Sequence, residues 1–188
     1  KYSRWLTGQD PTRILRNWEA IYRGLRYPLG TAELAALSAV EQALWDIAGK
    51  ACGLPVYKML GGPTRDRIRL YASGYLCQPR HFGLEGHDLV GAVRGCVERG
   101  FTAVKFTPQP DDYQGKHPEY IHRAAVERVR SVREAVGDDI DICLDYHGRS
   151  FSVTTAVRLA LAIEAYRPMF LEEPALTEYP DALVEAKM

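Results

Sequence analysis

From about residue 66 onward, short apolar and β-branched runs alternate with longer amphipathic segments, at intervals of about 30 residues. Such alternation is typical of βαβ units, whose strands run parallel and whose crossovers are right-handed. Either a doubly wound sheet or a β/α barrel fits this order. The predicted strands are 68–73, 103–107, 140–146 and 168–172, and the predicted helices are 89–99, 118–136, 154–166 and a last one from 179 onward.

The first third of the chain has helical periodicity and no strand pattern. Asp10 and Pro11 predict a helix start, with Asp10 as the N-cap, and the apolar residues that follow form one helical face. A second helix is predicted over 31–52, because Gly53 followed by Pro55 is typical of a helix end. A short helix is predicted over 56–60. Residues 1–65 therefore form a helical segment that differs from the α/β region 66–188.

Composition excludes several classes of partner. The 24 Lys and Arg residues balance the 24 Asp and Glu residues, and no basic run is present, so a nucleic-acid partner is not expected. Apolar stretches are far too short to span a bilayer, and no secretory signal is visible. The chain lacks an initiator Met and stops inside a helical pattern, so we expect both ends to be cuts.

The cysteines are widely separated and form neither a CxxC pair nor a disulfide framework. Their apolar or small neighbours predict buried thiols that behave as small hydrophobes, which fits a reducing cytoplasm. The four residues are Cys52, Cys77, Cys96 and Cys143.

Chemically reactive side chains lie at the ends of three predicted strands. Alternation along a strand places Lys105 with Thr107 on one face, and Asp145 with His147 on one face. Glu172 ends the next strand, directly before Glu173 and Pro174. Two carboxylates at one barrel mouth repel each other unless a cation or a proton lies between them, and a hard cation such as Mg²⁺ accepts oxygen ligands. A histidine two residues from a ligand Asp would lie beside the ion, where it could move protons.

Each of these residues also has a structural interpretation. Asp145 alone would be an ordinary helix N-cap, the Glu pair a solvated loop start, and His147 a satisfied structural residue, so spacing leaves both interpretations open. His117 and His122 lie beside two Asp residues, although a solvated helix face is the simpler explanation. His81 and His87 are placed in a loop that would overhang the barrel mouth and contact substrate. The chain contains no GxSxG, GxGxxG or Walker motif.

Three segments resemble the mandelate racemase and muconate lactonizing enzyme family of the enolase superfamily. The helix over 38–50, with Gly53-Leu54-Pro55 and Leu60-Gly61-Gly62 after it, is similar to that family's most recognisable stretch. Residues 144–149 (Leu-Asp-Tyr-His-Gly-Arg) and 170–174 (Phe-Leu-Glu-Glu-Pro) resemble its first two metal-ligand strands. The resemblance implies an α/β fold: a partial (β/α)8 TIM-type barrel comprising the first strands, preceded by helices of an α+β capping domain. Residues 1–65 would be the helical end of the cap, and 66–188 the first half of the barrel.

The Asp-x-His-Gly-Arg strand resembles the sugar-acid dehydratases of the galactonate dehydratase type, and the family's roles can be transferred residue by residue. Asp145 and Glu172 would be Mg²⁺ ligands, with Glu172 preferred over Glu173 because the first of the paired acids is the family ligand. Catalytic roles fall to His147, which would protonate the departing hydroxyl, and to Lys105, an electrostatic partner of the substrate carboxylate. Thr107 stands where racemases place a second lysine, which counts against racemisation. The substrate-binding candidates are Thr107 and Arg149, and for Arg149 bracing of its loop is an alternative.

The resemblance implies a Mg²⁺-dependent dehydratase of a sugar-derived acid (an aldonate). The C2 proton would be removed through a metal-stabilised enediolate, and loss of the C3 hydroxyl would give a 2-keto-3-deoxy acid. The third metal ligand and the distal histidine base would lie on later strands that this sequence does not contain. A small-molecule sugar acid is the expected partner, and a homo-oligomer is the expected assembly. An epimerase or racemase of the same scaffold, or a non-catalytic truncated copy, are the alternatives.

Overall fold

The computed structural model describes residues 2–24, 29–74, 82–83, 88–149, 152–178, 181 and 183–184 of the 188-residue chain. The chain forms two compact units, Lys1–Ile68 and Arg69–Met188. In the described residues, no helix is both long enough and apolar enough to cross a membrane.

The first unit is helical throughout its described part. Its helices are α1 (Ser3–Leu6), α2 (Ile14–Arg23), α3 (Thr31–Cys52) and α4 (Val56–Met59). Packing joins α2, α3 and α4, since Ile14, Leu44 and Ala48 are buried against one another and against Met59. Helix α3 ends as predicted, at Gly53, whose φ of 68° is the left-handed conformation that glycine adopts without strain.

The predicted start of the first long helix was wrong. Asp10 does not cap α2, because its carboxylate accepts hydrogen bonds from the backbone N–H and the hydroxyl of Thr12, at 2.9 and 2.6 Å. These bonds form a local turn, and α2 begins only at Ile14. They also lower the pKa of Asp10, the side-chain bond from Thr12 contributing most.

The second unit contains a parallel sheet in the order β1-β2-β3. The strands are β1 (Ala103–Phe106), β2 (Asp141–Asp145) and β3 (Phe170–Glu172). The helices are α5 (Leu89–Glu98), α6 (Pro118–Val136) and α7 (Val153–Glu164), so α6 and α7 are the crossovers. In the register, Lys105 lies opposite Cys143, and Asp145 lies opposite Glu172. The parallel βαβ order predicted from the sequence is therefore present.

The predicted strand at 68–73 is reduced to a single parallel bridge between Ala72 and Val104. The N–H of Ala72 donates to the carbonyl of Ala103 at 2.9 Å, and its own carbonyl accepts from Lys105 at 2.7 Å. Before this bridge, the segment is held by the side chain of Arg69, whose guanidinium donates to the Thr102 carbonyl at 2.7 Å. The Thr102 carbonyl also accepts the N–H of Asp141 at 3.0 Å, so the side chain of Arg69 joins the segment to the start of the β1–β2 ladder.

The two faces of the sheet differ in character. One face, carrying Val104, Phe106, Ile142 and Leu144, is buried in a core to which α5, α6 and α7 all contribute. The alternate positions face the other way, and they include Lys105, Asp145 and Glu172. The charged residues thus lie on the face opposite the core that α5, α6 and α7 form.

The predicted thiol burial holds for Cys96 and Cys143 but was wrong for Cys52, which is exposed. Cys52 is the last residue of α3, directly before the left-handed turn at Gly53. Cys77 lies outside the described residues.

Candidate active site

Three strand ends converge on one buried ammonium group. The Nζ atom of Lys105 lies 2.9 Å from Oδ2 of Asp145 and 2.5 Å from Oε2 of Glu172. Lys105 is only 9% exposed. Both carboxylates therefore face the same point, and Lys105 is the cation between them.

The environment of Lys105 raises its pKa. Burial alone would lower the pKa, but the hydrogen bonds to Glu172 and Asp145 and the two negative charges outweigh it, so the value lies above the ordinary one. The Tyr71 ring adds a weaker attraction, with its centroid 5.9 Å from Nζ. Lys105 is thus a fixed positive charge at neutral pH and cannot act as a base in this arrangement.

His147 lies on the other side of Asp145. Its Nδ1 atom is 2.8 Å from Oδ1 of Asp145 and 3.7 Å from Oε2 of Glu173. The imidazole is half exposed. Because Nδ1 faces the carboxylates, Nε2 on the opposite edge of the ring is the nitrogen that can meet a substrate.

The residues present fit a divalent cation. Oδ1 of Asp145 is buried and accepts no hydrogen bond from the described residues, although Nδ1 of His147 lies 2.8 Å from it. An anionic oxygen buried without a donor is unfavourable unless a cation meets it. Asp145, His147 and Glu173 each offer one ligand atom, and these atoms lie within 4.8 Å of one another.

The three residues that could hold a metal ion in the structure, Asp145, His147 and Glu173, differ from the predicted ligand pair, Asp145 and Glu172. Sequence reasoning selected Asp145 with Glu172, but the Glu172 carboxylate is paired with Lys105, and Glu173 is the acid beside His147. Glu173 was passed over because the first of the paired acids is the family ligand, and alternation along an extended strand would also place Glu173 on the face opposite Glu172. Its φ of 45° breaks that alternation, and no residue type in this stretch signals the break.

The other predicted substrate-binding residues lie near the loop between β1 and α6. Nη1 of Arg149 lies 3.4 Å from Oε1 of Gln109, and its guanidinium lies over the Tyr113 ring at 5.4 Å from the centroid. These residues line a cavity of about 560 Å³. Thr107 is half-buried directly after β1. The structure thus places Arg149 against a loop, in agreement with a bracing role.

The remaining histidines do not join the cluster. Nδ1 of His117 accepts the N–H of Glu119 at 3.2 Å and caps α6, and His122 lines the cavity beside Arg149. The one metal-compatible grouping found in the described part of the chain includes neither residue. His81 and His87 lie outside the described residues.

Two family models match the chain, one within each compact unit. Residues 3–61 match the mandelate racemase / muconate lactonizing enzyme N-terminal domain, and residues 88–187 match the enolase C-terminal domain-like family. The chain belongs to the mandelate racemase and muconate lactonizing enzyme family of the enolase superfamily. The predicted resemblance is thereby confirmed.

Relatives within this family include sugar-acid dehydratases. A D-galactonate dehydratase from Verminephrobacter eiseniae is 40% identical over 174 residues, covering 93% of this chain and 43% of the relative. A D-gluconate dehydratase from Thermoproteus tenax is 39% identical over 176 residues, covering 92% of this chain and 34% of the relative. The chain therefore spans less than half the length of these curated relatives.

Solved structures of family members superpose on almost the whole chain. A mandelate racemase/muconate lactonizing enzyme-like protein from Rubrobacter xylanophilus has a TM-score of 0.82 and 37% identity, covering 98% of this chain and 51% of that one. An enolase from Agrobacterium radiobacter, solved with Na and L-malate bound, has a TM-score of 0.83 and 35% identity, covering 99% and 46%. These likenesses confirm the α/β fold class, in which this chain supplies part of the family fold.

Proposed function

We propose that the protein is a Mg²⁺-dependent hydro-lyase that dehydrates a sugar-derived acid to a 2-keto-3-deoxy acid. One observation carries the proposal: the carboxylates of Asp145 and Glu172, from adjacent strand ends, converge on one point, with the His147 imidazole against Asp145. The similarity to a galactonate and a gluconate dehydratase supports the reaction and the substrate class. A Na ion and L-malate, a hydroxy acid, in the related Agrobacterium structure support a cation and an acid at such a site.

Asp145 and Glu172 would hold the metal ion, as the family pattern implies, and the buried, unpartnered Oδ1 of Asp145 is the atom best suited to it. When bound, Mg²⁺ would supply positive charge that offsets the charge developing on the substrate carboxylate when the C2 proton leaves. The base that takes this proton, and the remaining metal ligand, are assigned by the resemblance to strands that follow in the family fold.

The chain's own residues would bind the acid and protonate the leaving group. Lys105, a permanent cation, would attract the substrate carboxylate. After the C2 proton has been removed, the electron pair left at C2 forms the C2=C3 double bond, the C3–O bond breaks and Nε2 of His147 gives its proton to the departing oxygen, which leaves as water. The resulting enol then becomes the keto acid. Thr107 would contribute a hydroxyl to substrate binding, and Arg149 would brace the loop through Gln109.

The test is a panel of aldonates incubated with the full-length protein and Mg²⁺, scored for keto-acid formation. His147→Asn should lower turnover by about 10²–10⁴-fold, the usual contribution of a general acid. The affinity for Mg²⁺ should stay within a few-fold. His117→Asn is the matched control, because His117 caps α6 and should leave turnover unchanged.

Unchanged turnover in His147→Asn would remove this residue from the reaction. Deuterium uptake at C2 in D₂O without loss of water would indicate an epimerase or racemase in place of a dehydratase. A homo-oligomeric assembly and a cytoplasmic location stay predictions.

A further inference from the structure

We propose that Glu173 is a positioning residue, whose carboxylate anchors the Nδ1 edge of His147 while Asp145 serves the metal ion. The inference rests on the proposed function and refines it. Sequence reasoning had set Glu173 aside in favour of Glu172.

The two oxygens of Asp145 already have other neighbours. Oδ2 is paired with Lys105 at 2.9 Å, and Oδ1 is buried, accepts no hydrogen bond from the described residues and lies 2.8 Å from Nδ1 of His147. A cation at Oδ1 would draw its negative charge and weaken its attraction for His147. Glu173 is then the remaining carboxylate that the described residues place within 4 Å of Nδ1.

The backbone around this pair is strained. His147 has a φ of 53° and Glu173 a φ of 45°, both in the left-handed region that non-glycine residues rarely adopt. Such a conformation is unfavourable and persists only where the surrounding contacts hold it, which is common at functional sites. One strained residue lies at each of two neighbouring strand ends, so the contact between His147 and Glu173 is held in place by the surrounding structure.

Hydrogen bonds join the two strained turns. The N–H of Gly148 donates to the carbonyl of Glu173 at 2.8 Å, and the N–H of Tyr146 donates to the carbonyl of Glu172 at 3.0 Å. The segment that carries His147 is thus tied directly to the backbone of Glu173. This arrangement turns the Glu173 side chain to the side of the imidazole, although an extended strand would point it away.

The experiment compares wild-type full-length protein with Glu173→Gln, which keeps the shape and removes the charge. Glu178→Gln, the same chemical change at an exposed position on the same loop, is the control. Four quantities are measured: kcat and KM for dehydration, deuterium exchange at C2 in D₂O, and the Kd for Mg²⁺ by calorimetry on metal-free protein.

In Glu173→Gln, kcat for dehydration should fall by about 10–100-fold, the usual effect of losing a group that orients another. KM, C2 exchange and the Mg²⁺ Kd should each stay within about 3-fold, because proton removal at C2 and metal binding do not pass through His147. Glu178→Gln should match wild type in all four measurements.

Three results would overturn the inference. A loss of Mg²⁺ affinity of more than tenfold would make Glu173 a metal ligand. A parallel fall in exchange and dehydration would mean that Glu173 does not act through His147, and an unchanged kcat would mean that it has no such role. Wild-type protein that dehydrates no acid would instead refute the proposed function, and with it the role of His147 that this inference refines.

Discussion

Replacing Lys105 by Met, which has a similar length and no charge, should destabilise the metal-free protein substantially. Removing one partner of a buried ion pair costs about 3–5 kcal/mol, because a buried charge is left uncompensated, whereas an exposed pair contributes about 0–1 kcal/mol. The side chain of Asp145 is 13% exposed and that of Glu172 is 44% exposed, so the first pair behaves as buried and the second is partly screened. Lys105→Met should therefore lower the free energy of unfolding by about 2–4 kcal/mol.

Urea unfolding of full-length protein in EDTA measures this difference. Lys50→Met is the matched control, because Nζ of Lys50 lies 2.6 Å from Oδ2 of Asp46 in an equally short pair that is 76% exposed on the Lys50 side. The control should lose only about 0.3–0.5 kcal/mol. Equal losses in the two variants would refute the argument from burial.

The pH dependence has a definite sign. Because folding raises the pKa of Lys105, its stabilising contribution is complete below its unfolded value of about 10.4 and is lost as pH rises through the folded value. The stability difference between wild type and Lys105→Met should thus stay constant from about pH 7 to 10 and shrink above that range. A difference that already disappears between these limits would mean that the ammonium is not held as the structure shows.

The affinity for Mg²⁺ also tests the position of Lys105 between Asp145 and Glu172. The ammonium of Lys105 competes with any cation for Asp145 and Glu172. Two unit charges about 4 Å apart interact by about 1 kcal/mol in water and about 4 kcal/mol in partly buried surroundings, so Lys105→Met should bind Mg²⁺ at least about fivefold more tightly. Weaker binding in calorimetry would show that Lys105 supports the metal site instead of competing with it.

Two further substitutions test the frame around the site. Gly148→Ala should lower the melting temperature more than Gly53→Ala, because both glycines have a positive φ, of 60° and 68°, but only at Gly148 would the new Cβ lie 3.2 Å from the Ala175 carbonyl oxygen; equal shifts would contradict this crowding. Arg133→Met should lower the free energy of unfolding by about 2 kcal/mol or more in urea titrations, since it removes four hydrogen bonds from a charged donor to backbone carbonyls, and a loss below about 1 kcal/mol would count against it. Its guanidinium donates to the carbonyls of Tyr166, Gly137, Ile140 and Arg167.

Local signals predicted most of the fold. The predicted helices 31–52 and 118–136 coincide with α3 and α6, because glycine with positive φ ends both and a proline begins the second. The segment at 68–73 was predicted as a full strand from its apolar alternation, but only Ala72 pairs with the sheet. Alternation shows which side chains share a face, whereas the length of a ladder depends on backbone pairing with the neighbouring strand, which alternation does not encode.

The sequence predicted which side chains share a face of the sheet, but it did not predict the contacts between them. Period-two alternation within each strand agrees with the register, in which Lys105 and Asp145 lie on the face opposite the helical core. The position of Lys105 between two carboxylates depends on the register across three strands, which no single strand encodes. The proximity of Glu173 to His147 depends on two left-handed residues, neither of which is a glycine or an asparagine that would have marked the turn.

Asp145 contacts both the ammonium of Lys105 and the imidazole of His147, so the charges of these two groups are coupled through it. The carboxylates of Asp145 and Glu172 contact the ammonium of Lys105, and the carboxylate of Glu173 lies beside His147, so three carboxylates meet one fixed positive charge. With His147 as an imidazolium, which the proposed proton donation requires, one negative charge remains in excess at a partly buried site, and a cation at Asp145 would offset it. The charge of that cation would act on Lys105 and on His147 together, because Asp145 contacts both.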